Sequence, residues 1–246
     1  MNTIIFGGIG VGKTKLLAKL ASDRMTEQGR ADVTACRREV ETWEDGAGLS
    51  LPEKHMVFSD IPLRSEPSRM PVRKSYYAPI ERVGLYNPEP NEKWPQTWFF
   101  PPHAQFFFSE AQRMYNARLR GDKALPDHVS RWYETERHNG HNVTMDCQRP
   151  GLIDVNIRAI TAEFICVLGS QDKRDKHGRV LSSTWDTLVF FDYASVEAYI
   201  NAGEKAGAER RQYKHEGIIY RCYDSYCYKG LHREGREGCR FDLVTL

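Results

Sequence analysis

Long apolar runs are missing from this sequence, and so is any strong excess of one charge. Its most apolar stretches, around Phe164 to Leu168 and Leu188 to Phe191, have the length of buried strands and fall far short of a bilayer span. Met1 leads straight into an apolar strand, without the basic leader and small-residue cleavage site of a secretory signal. The net charge of +2 is too small to argue for nucleic-acid binding by itself. Cysteine is sparse as well, six in 246 residues. With the cytosol expected, those thiols are read as reduced or metal-ligating and not as a disulfide framework. No internal repeat and no low-complexity tract is present. The remaining composition, 40% hydrophobic and 28% charged, is ordinary for a globular protein. The length suits one substantial core with a small appendage.

The pattern along the chain alternates strands and helices. Thr3 to Phe6 reads as a short buried strand, followed at once by a glycine-rich loop and by a helix from Lys15 to Met25, whose Leu16, Leu17, Leu20 and Ala21 recur at helical spacing. His55 to Ser59 reads as a second strand, stopped near Pro62, and Arg64 to Gln96 as an irregular excursion rich in proline and charge. Ala104 to Phe108 predicts a third strand, leading into a helix that begins near Glu110. A further helix, capped by Asp127, is expected to run to about His138. Val143 to Cys147 is a fourth strand, Leu152 to Ile160 holds a short helix, and Glu163 to Leu168 is a fifth strand. This order predicts a mainly parallel α/β sheet with helices on both faces. After Gly169 the texture changes. A charged turn at Gln171 to Arg179 lies between strand-like segments and predicts an antiparallel hairpin at the sheet edge, followed by a helix from Ser195 to Ala206. The expected division is a core at 1–169 and an extension of the same domain at 170–246.

The chemistry concentrates in Gly7-Gly8-Ile9-Gly10-Val11-Gly12-Lys13-Thr14, which fits G-x-x-x-x-G-K-[ST] in full between a strand and a helix. Glycines let backbone N–H groups converge on phosphates, and the helix turns its positive end to the same anion. Gly7, Gly8, Ile9, Gly10, Val11, Gly12, Lys13, Thr14 and Lys15 are therefore the expected ATP-binding residues. Lys13 would reach the β and γ phosphates and Thr14 would ligate magnesium. Such an enzyme also needs a carboxylate at a neighbouring strand end to hold the metal through water and to act as base. Gln105-Phe106-Phe107-Phe108-Ser109-Glu110 is the best segment: Glu110 is the expected base, and Ser109 stands where an aspartate is usual. Glu110 as a mere first-turn acid of the next helix is the structural alternative. Asp146 is the next candidate should Glu110 not serve. Gln148, just past the fourth strand, stands where such ATPases place a polar residue that senses the γ phosphate, with a plain loop glutamine as the alternative.

These residues, with Val57-Phe58-Ser59-Asp60-Ile61-Pro62, Glu136-Arg137-His138-Asn139-Gly140-His141-Asn142 and Gln148-Arg149-Pro150-Gly151-Leu152-Ile153-Asp154-Val155-Asn156-Ile157-Arg158, resemble the zonula occludens toxin (Zot) domain, the group that includes filamentous-phage gene I assembly ATPases. The resemblance runs from Met1 to about Tyr228. It implies a P-loop ATPase of the HerA–FtsK type that moves or loads DNA in phage packaging or extrusion, as a homo-oligomeric ring with other phage assembly or capsid proteins. It implies a place in the host cytoplasm or on the virion, with contact to the inner membrane only through partners. By motif position Arg137 and Arg158 become candidates for the cation that a neighbouring subunit lends to the transition state. Two departures stand out. Ser109 weakens the field on magnesium, which predicts slow turnover. No membrane span follows the ATPase segment, so the chain is either a soluble packaging ATPase or a piece ending before such a span.

Near the C-terminus Cys222, Cys227, His232 and Cys239 form C-x4-C-x4-H-x6-C, a donor set suited to tetrahedral zinc and equally compatible with buried free thiols. The aromatics and cations interleaved there suit either a single-strand binder or a solvated mixed surface. Two functions follow from the sequence: an ATP-driven phage DNA motor, or a nucleotide-binding assembly scaffold that scarcely hydrolyses. A small-molecule kinase is disfavoured for want of a lid-like arginine motif.

Overall fold

The computed structural model describes residues 1–25, 56–65, 75–119, 121 and 124–217. Its strands are β1 (Asn2–Phe6), β2 (Val57–Ser59), β3 (Tyr76–Tyr77), β4 (Gln105–Phe108), β5 (Asn142–Asp146), β6 (Thr161–Arg174), β7 (Val180–Phe190) and β8 (Glu209–Glu216). The helices are α1 (Lys13–Met25), α2 (Asp127–Thr135), α3 (Val155–Ala159) and α4 (Tyr193–Ala202). All eight strands join one sheet in the order β3-β2-β4-β5-β1-β6-β7-β8. Pairing is parallel from β3 through β6 and antiparallel from β6 through β8.

Period-two alternation sorts the apolar residues between two cores. Ile4, Phe6, Phe58, Phe106, Phe108, Val143 and Met145 face a large aromatic cluster that takes in Trp132 and Tyr133 of α2 and Val196 of α4. Ile5, Val57, Phe107, Ile165 and Val189 face Leu16, Leu17 and Ala21 of α1 on the other side. The sheet is thus buried on both faces, as its near-continuous apolar strands require. This is a mainly parallel α/β architecture with helices on both faces and an antiparallel extension. Among the described residues no helix is long and apolar enough to cross a membrane.

The strand order carries the first functional consequence. In a parallel sheet all C-terminal strand ends share one edge, so the loop after β1 faces the ends of β5, β4 and β2. β5 separates the strand of the glycine loop from β4, which ends just before Ser109. Parallel register sets Ile5 beside Asp146 and Phe108 beside Met145, which brings Ser109 level with Asp146.

Several local expectations are corrected. No α-helix starts at Glu110; a single 3-10 turn spans Ala111–Arg113. The backbone there is diverted because the N–H groups of Ser109 and Glu110 are tied to carboxylates instead of opening a helix. Asp127 does not cap α2: Pro126 holds that position with no side-chain cap, and Asp127 lies in the first turn. α2 ends at Thr135 and continues as a 3-10 turn over Glu136–Asn139. The stretch beyond Arg64 contains the edge strand β3. The polar segment Glu209–Glu216 is β8, paired along β7. β6 runs unbroken through residues 169 and 170, with an irregularity between Val167 and Gly169.

Candidate active site

The glycine loop joins β1 to α1, and neighbouring atoms leave no room for side chains at two of its positions. A Cβ at Gly7 would lie 2.6 Å from the Val167 carbonyl oxygen, and one at Gly12 would lie 2.8 Å from Ser170 Oγ. Gly12 also holds a φ of 93°, which L side chains rarely adopt. Lys13 is partly exposed, and its ammonium donates to the Gly8 carbonyl at 2.8 Å, folding back over the loop. Ile9 at the crest is 88% exposed. This is a cradle with an available cation at its mouth.

On one flank of the loop stand acids. The Thr14 hydroxyl donates to Asp146 Oδ2 at 2.8 Å. Asp146 Oδ1 accepts from the Glu110 backbone N–H at 2.7 Å. The Ser109 hydroxyl lies 3.5 Å from Asp146 Oδ2, and the Ser109 backbone N–H donates to Asp60 Oδ1 at 2.9 Å. Asp146 is only 1% exposed. Burial pushes its carboxyl up, opposed by the hydrogen bonds from Glu110 and Thr14 and by the charge of Lys13. Asp60 is pushed up to about 8, by burial first and with the neighbouring Asp146 adding to it. Glu110 itself sits in the left-handed region, φ 52° and ψ 44°, and its side chain pairs with Arg113. A non-glycine residue in that conformation is strained and persists where its surroundings over-determine it. Here two buried carboxylates hold the N–H groups on either side of the turn.

On the other flank stands the β6–β7 hairpin. Lys15, buried, points away from the loop mouth: it pairs with Asp172, which also accepts from the Ser183 hydroxyl at 2.7 Å. The Lys15 ammonium lies 5.4 Å from the centre of the Trp185 ring. The Trp185 indole N–H donates to the Gly12 carbonyl at 3.2 Å. The segment outside the parallel core therefore props the loop from behind.

The remaining sequence-derived candidates scatter. Gln148 is exposed in the turn past β5, two residues beyond Asp146 and on the loop's edge of the sheet. Arg137 is exposed in the 3-10 turn that precedes β5, at the opposite edge. Arg158 donates to the Ile153 carbonyl at 2.9 Å, and its guanidinium lies 4.1 Å from the centre of the Tyr193 ring. Neither arginine is brought to the glycine loop of its own chain. Arg149, beside Gln148 and exposed, lies on the loop's edge. Cys222, Cys227, His232 and Cys239 lie outside the described residues.

Sequence reasoning assigned no part in the site to Asp60, Asp172 or Trp185 and kept Asp146 in reserve. Asp146 carries the same signal as Glu110, an acid ending a largely apolar strand. The contacts of Asp172 and Trp185 depend on a hairpin register no local pattern states. Among the described residues no group of three or more His, Cys, Asp or Glu side chains converges as a metal cage. Magnesium is usually held by one or two carboxylates together with nucleotide phosphates. Thr14 with Asp146, beside a phosphate-shaped backbone cradle, fits it.

Comparison with known proteins gives one family and a set of distant folds. Residues 63–169 match the family model described as Zonular occludens toxin (Zot). No curated protein matches the chain. Among solved structures, the N-terminal domain of zonular occludens toxin from Neisseria meningitidis is similar over 91% of this chain and 98% of its own, at 19% identity and a TM-score of 0.49. The genome packaging NTPase of Sulfolobus turreted icosahedral virus 2, solved with ATP-gammaS, is similar over 88% of this chain and 97% of its own, at 7% identity and a TM-score of 0.35. The DNA-packaging ATPase of Sulfolobus turreted icosahedral virus gives the same coverage at 11% identity and a TM-score of 0.36. Ser109, Glu110 and Asp146 lie within the residues, 63–169, that match the Zot model, and the glycine loop lies outside that span.

Proposed function

We propose that this chain is a P-loop ATPase that hydrolyses ATP to package or extrude phage DNA during virion assembly, working as a homo-oligomeric ring with other assembly proteins. The observation that carries the reading is the pairing of Thr14 with Asp146 across the mouth of a complete strand–loop–helix phosphate cradle. In this reading Gly7 to Lys15 enclose the phosphates through backbone N–H groups, and Lys13 swings from the Gly8 carbonyl to the β and γ phosphates. Magnesium bound with the nucleotide supplies charge neutralisation at the phosphates. Thr14 holds it from the loop, with Ser109 and Glu110 on the facing strand end. Glu110 takes the proton of the attacking water, and Gln148 registers the γ phosphate. A neighbouring subunit lends a cation: Arg137 is exposed for that role, Arg158 would first have to leave Tyr193, and Arg149 stands on the nucleotide edge. Zinc at Cys222, Cys227, His232 and Cys239 remains a proposal from spacing alone.

The second reading, a nucleotide-gated scaffold with scant hydrolysis, draws on the pairing of Glu110 with Arg113, which engages the base with a cation. Turnover with and without DNA separates the two. The motor reading expects DNA-stimulated ATP hydrolysis, lost by at least about a hundredfold in Lys13→Ala, since one charge aimed at the transition state is worth that much. The variant should melt within about 0.5 kcal/mol of wild type, as exposed substitutions do. Tight ATP binding with negligible hydrolysis under both conditions selects the scaffold.

A further inference from the structure

Ser109 leaves the position straight after β4 without a negative charge, yet the Thr14 hydroxyl that should face the metal already has an anionic partner. We propose that Asp146, on the adjacent strand β5, supplies the magnesium-facing charge that β4 lacks, so that the charge has moved one strand closer to the glycine loop. The inference rests on the ATPase reading above and deepens it.

Thr14 has one hydroxyl proton, and it goes to Asp146 Oδ2 at 2.8 Å. The hydroxyl lone pairs are thereby turned away from the carboxylate, which is the orientation a metal ligand needs. Asp146 is also held from two sides. Its other oxygen takes the Glu110 N–H at 2.7 Å, so one carboxylate joins the loop to the turn that carries the proposed base. Phe108 pairs with Met145, the next residues are Ser109 and Asp146, and their oxygens are 3.5 Å apart. A carboxylate at either position therefore serves nearly the same volume. The rival acids are committed elsewhere, Asp60 to the Ser109 N–H and Glu110 to Arg113. Asparagine could not replace Asp146 isosterically, because two donors converge on its two oxygens and an amide NH2 would face one of them.

The test is a magnesium titration of ATP-analogue binding by the full chain, read by fluorescence, with melting temperature followed in parallel. Asp146→Asn should raise the magnesium needed for tight binding by about ten- to a hundredfold. Ser109→Asp combined with Asp146→Asn, which returns the charge to β4, should bring it back to within about threefold of wild type, a tolerance matching small outer-shell effects. A folded Asp146→Asn protein with the wild-type requirement overturns the proposal, and so does a folded double variant that recovers nothing. Should Asp146→Asn fail to fold, the double variant decides alone: folded with the wild-type requirement it supports the relocation, and unfolded it makes Asp146 a structural residue only. Wild-type protein that binds the analogue without regard to magnesium would sink the ATPase reading itself, a result distinct from all of these.

Discussion

The two flanks of the glycine loop hold it by different means. Toward β5 the contacts are polar and few: Thr14, Asp146, the Ser109–Glu110 turn and Asp60, all at strand ends. Toward β6 and β7 they are bulky and interlocked: Val167 against Gly7, Ser170 and Trp185 against Gly12, and the Lys15–Asp172 pair beneath the indole. In the proposed ATPase reading the acidic flank offers groups that change partners when phosphates arrive. The hairpin flank offers shape, and shape is what keeps the loop's N–H groups converged before any ligand binds. Damage to Glu110 on the first should alter chemistry in a protein that still folds and binds; damage to the second should alter the fold and the affinity together.

The sharpest break on the hairpin side is Trp185→Ala. Removing a fully buried indole should cost about 3–5 kcal/mol, read as a loss in denaturant midpoint, with nucleotide affinity falling in step. On the acidic side Glu110→Gln should lower kcat by about 10²–10⁴-fold while ATP still binds, since it removes the base and keeps its shape. An unchanged kcat would move the base to another group and merge the two flanks into one structural role. Trp185→Phe is a finer cut. It keeps most of the ring and deletes the bond to the Gly12 carbonyl, so about 1 kcal/mol of stability should go and ATP should bind more weakly at nearly constant kcat. If stability falls with no change in affinity, the indole merely fills space.

The smallest effect is a pH dependence. Asp60 has its folded-state value raised to about 8, so the folded chain holds a proton that the unfolded chain releases near 4. Stability contributed by this site is therefore full below about pH 4 and declines as pH rises toward 8, then levels. Asp60→Asn, which can still accept from Ser109, should flatten the melting temperature over that window. An unaltered slope would mean that water reaches the carboxylate.

What could be read from the sequence follows the same division. The loop was legible because its residues are consecutive and each has a local reason. β1, α1, β4 and β5 were legible from apolar period and flanking turns. β8 was not: Glu209 to Glu216 is polar on both faces, as an outer strand can be, and only pairing with β7 defines it. The helix expected at Glu110 failed because carboxylates 49 and 36 residues away claim the two N–H groups that would have opened it. Ser109 reads as a missing charge along the chain. It reads differently once Asp146 lies beside it, and adjacency of strands is a property of topology that no spacing rule contains.

β6 has a length that the parallel sheet does not use. Its first residues pair with β1, but it continues to Arg174, and 14 residues of strand extend about 46 Å at 3.3 Å each. Beyond Cys166, among the described residues, its strand pairing is with β7 alone, and the turn at its far end is made of Asp175, Lys176, His177 and Gly178. Mechanically this is a beam built in at one end, with the glycine loop and α1 resting along it: Gly7 against Val167, Gly12 against Ser170, and Lys15 paired with Asp172 near the far end. A load placed on the charged tip would reach the glycine loop as a bending moment, by a route that bypasses every acid at the strand ends.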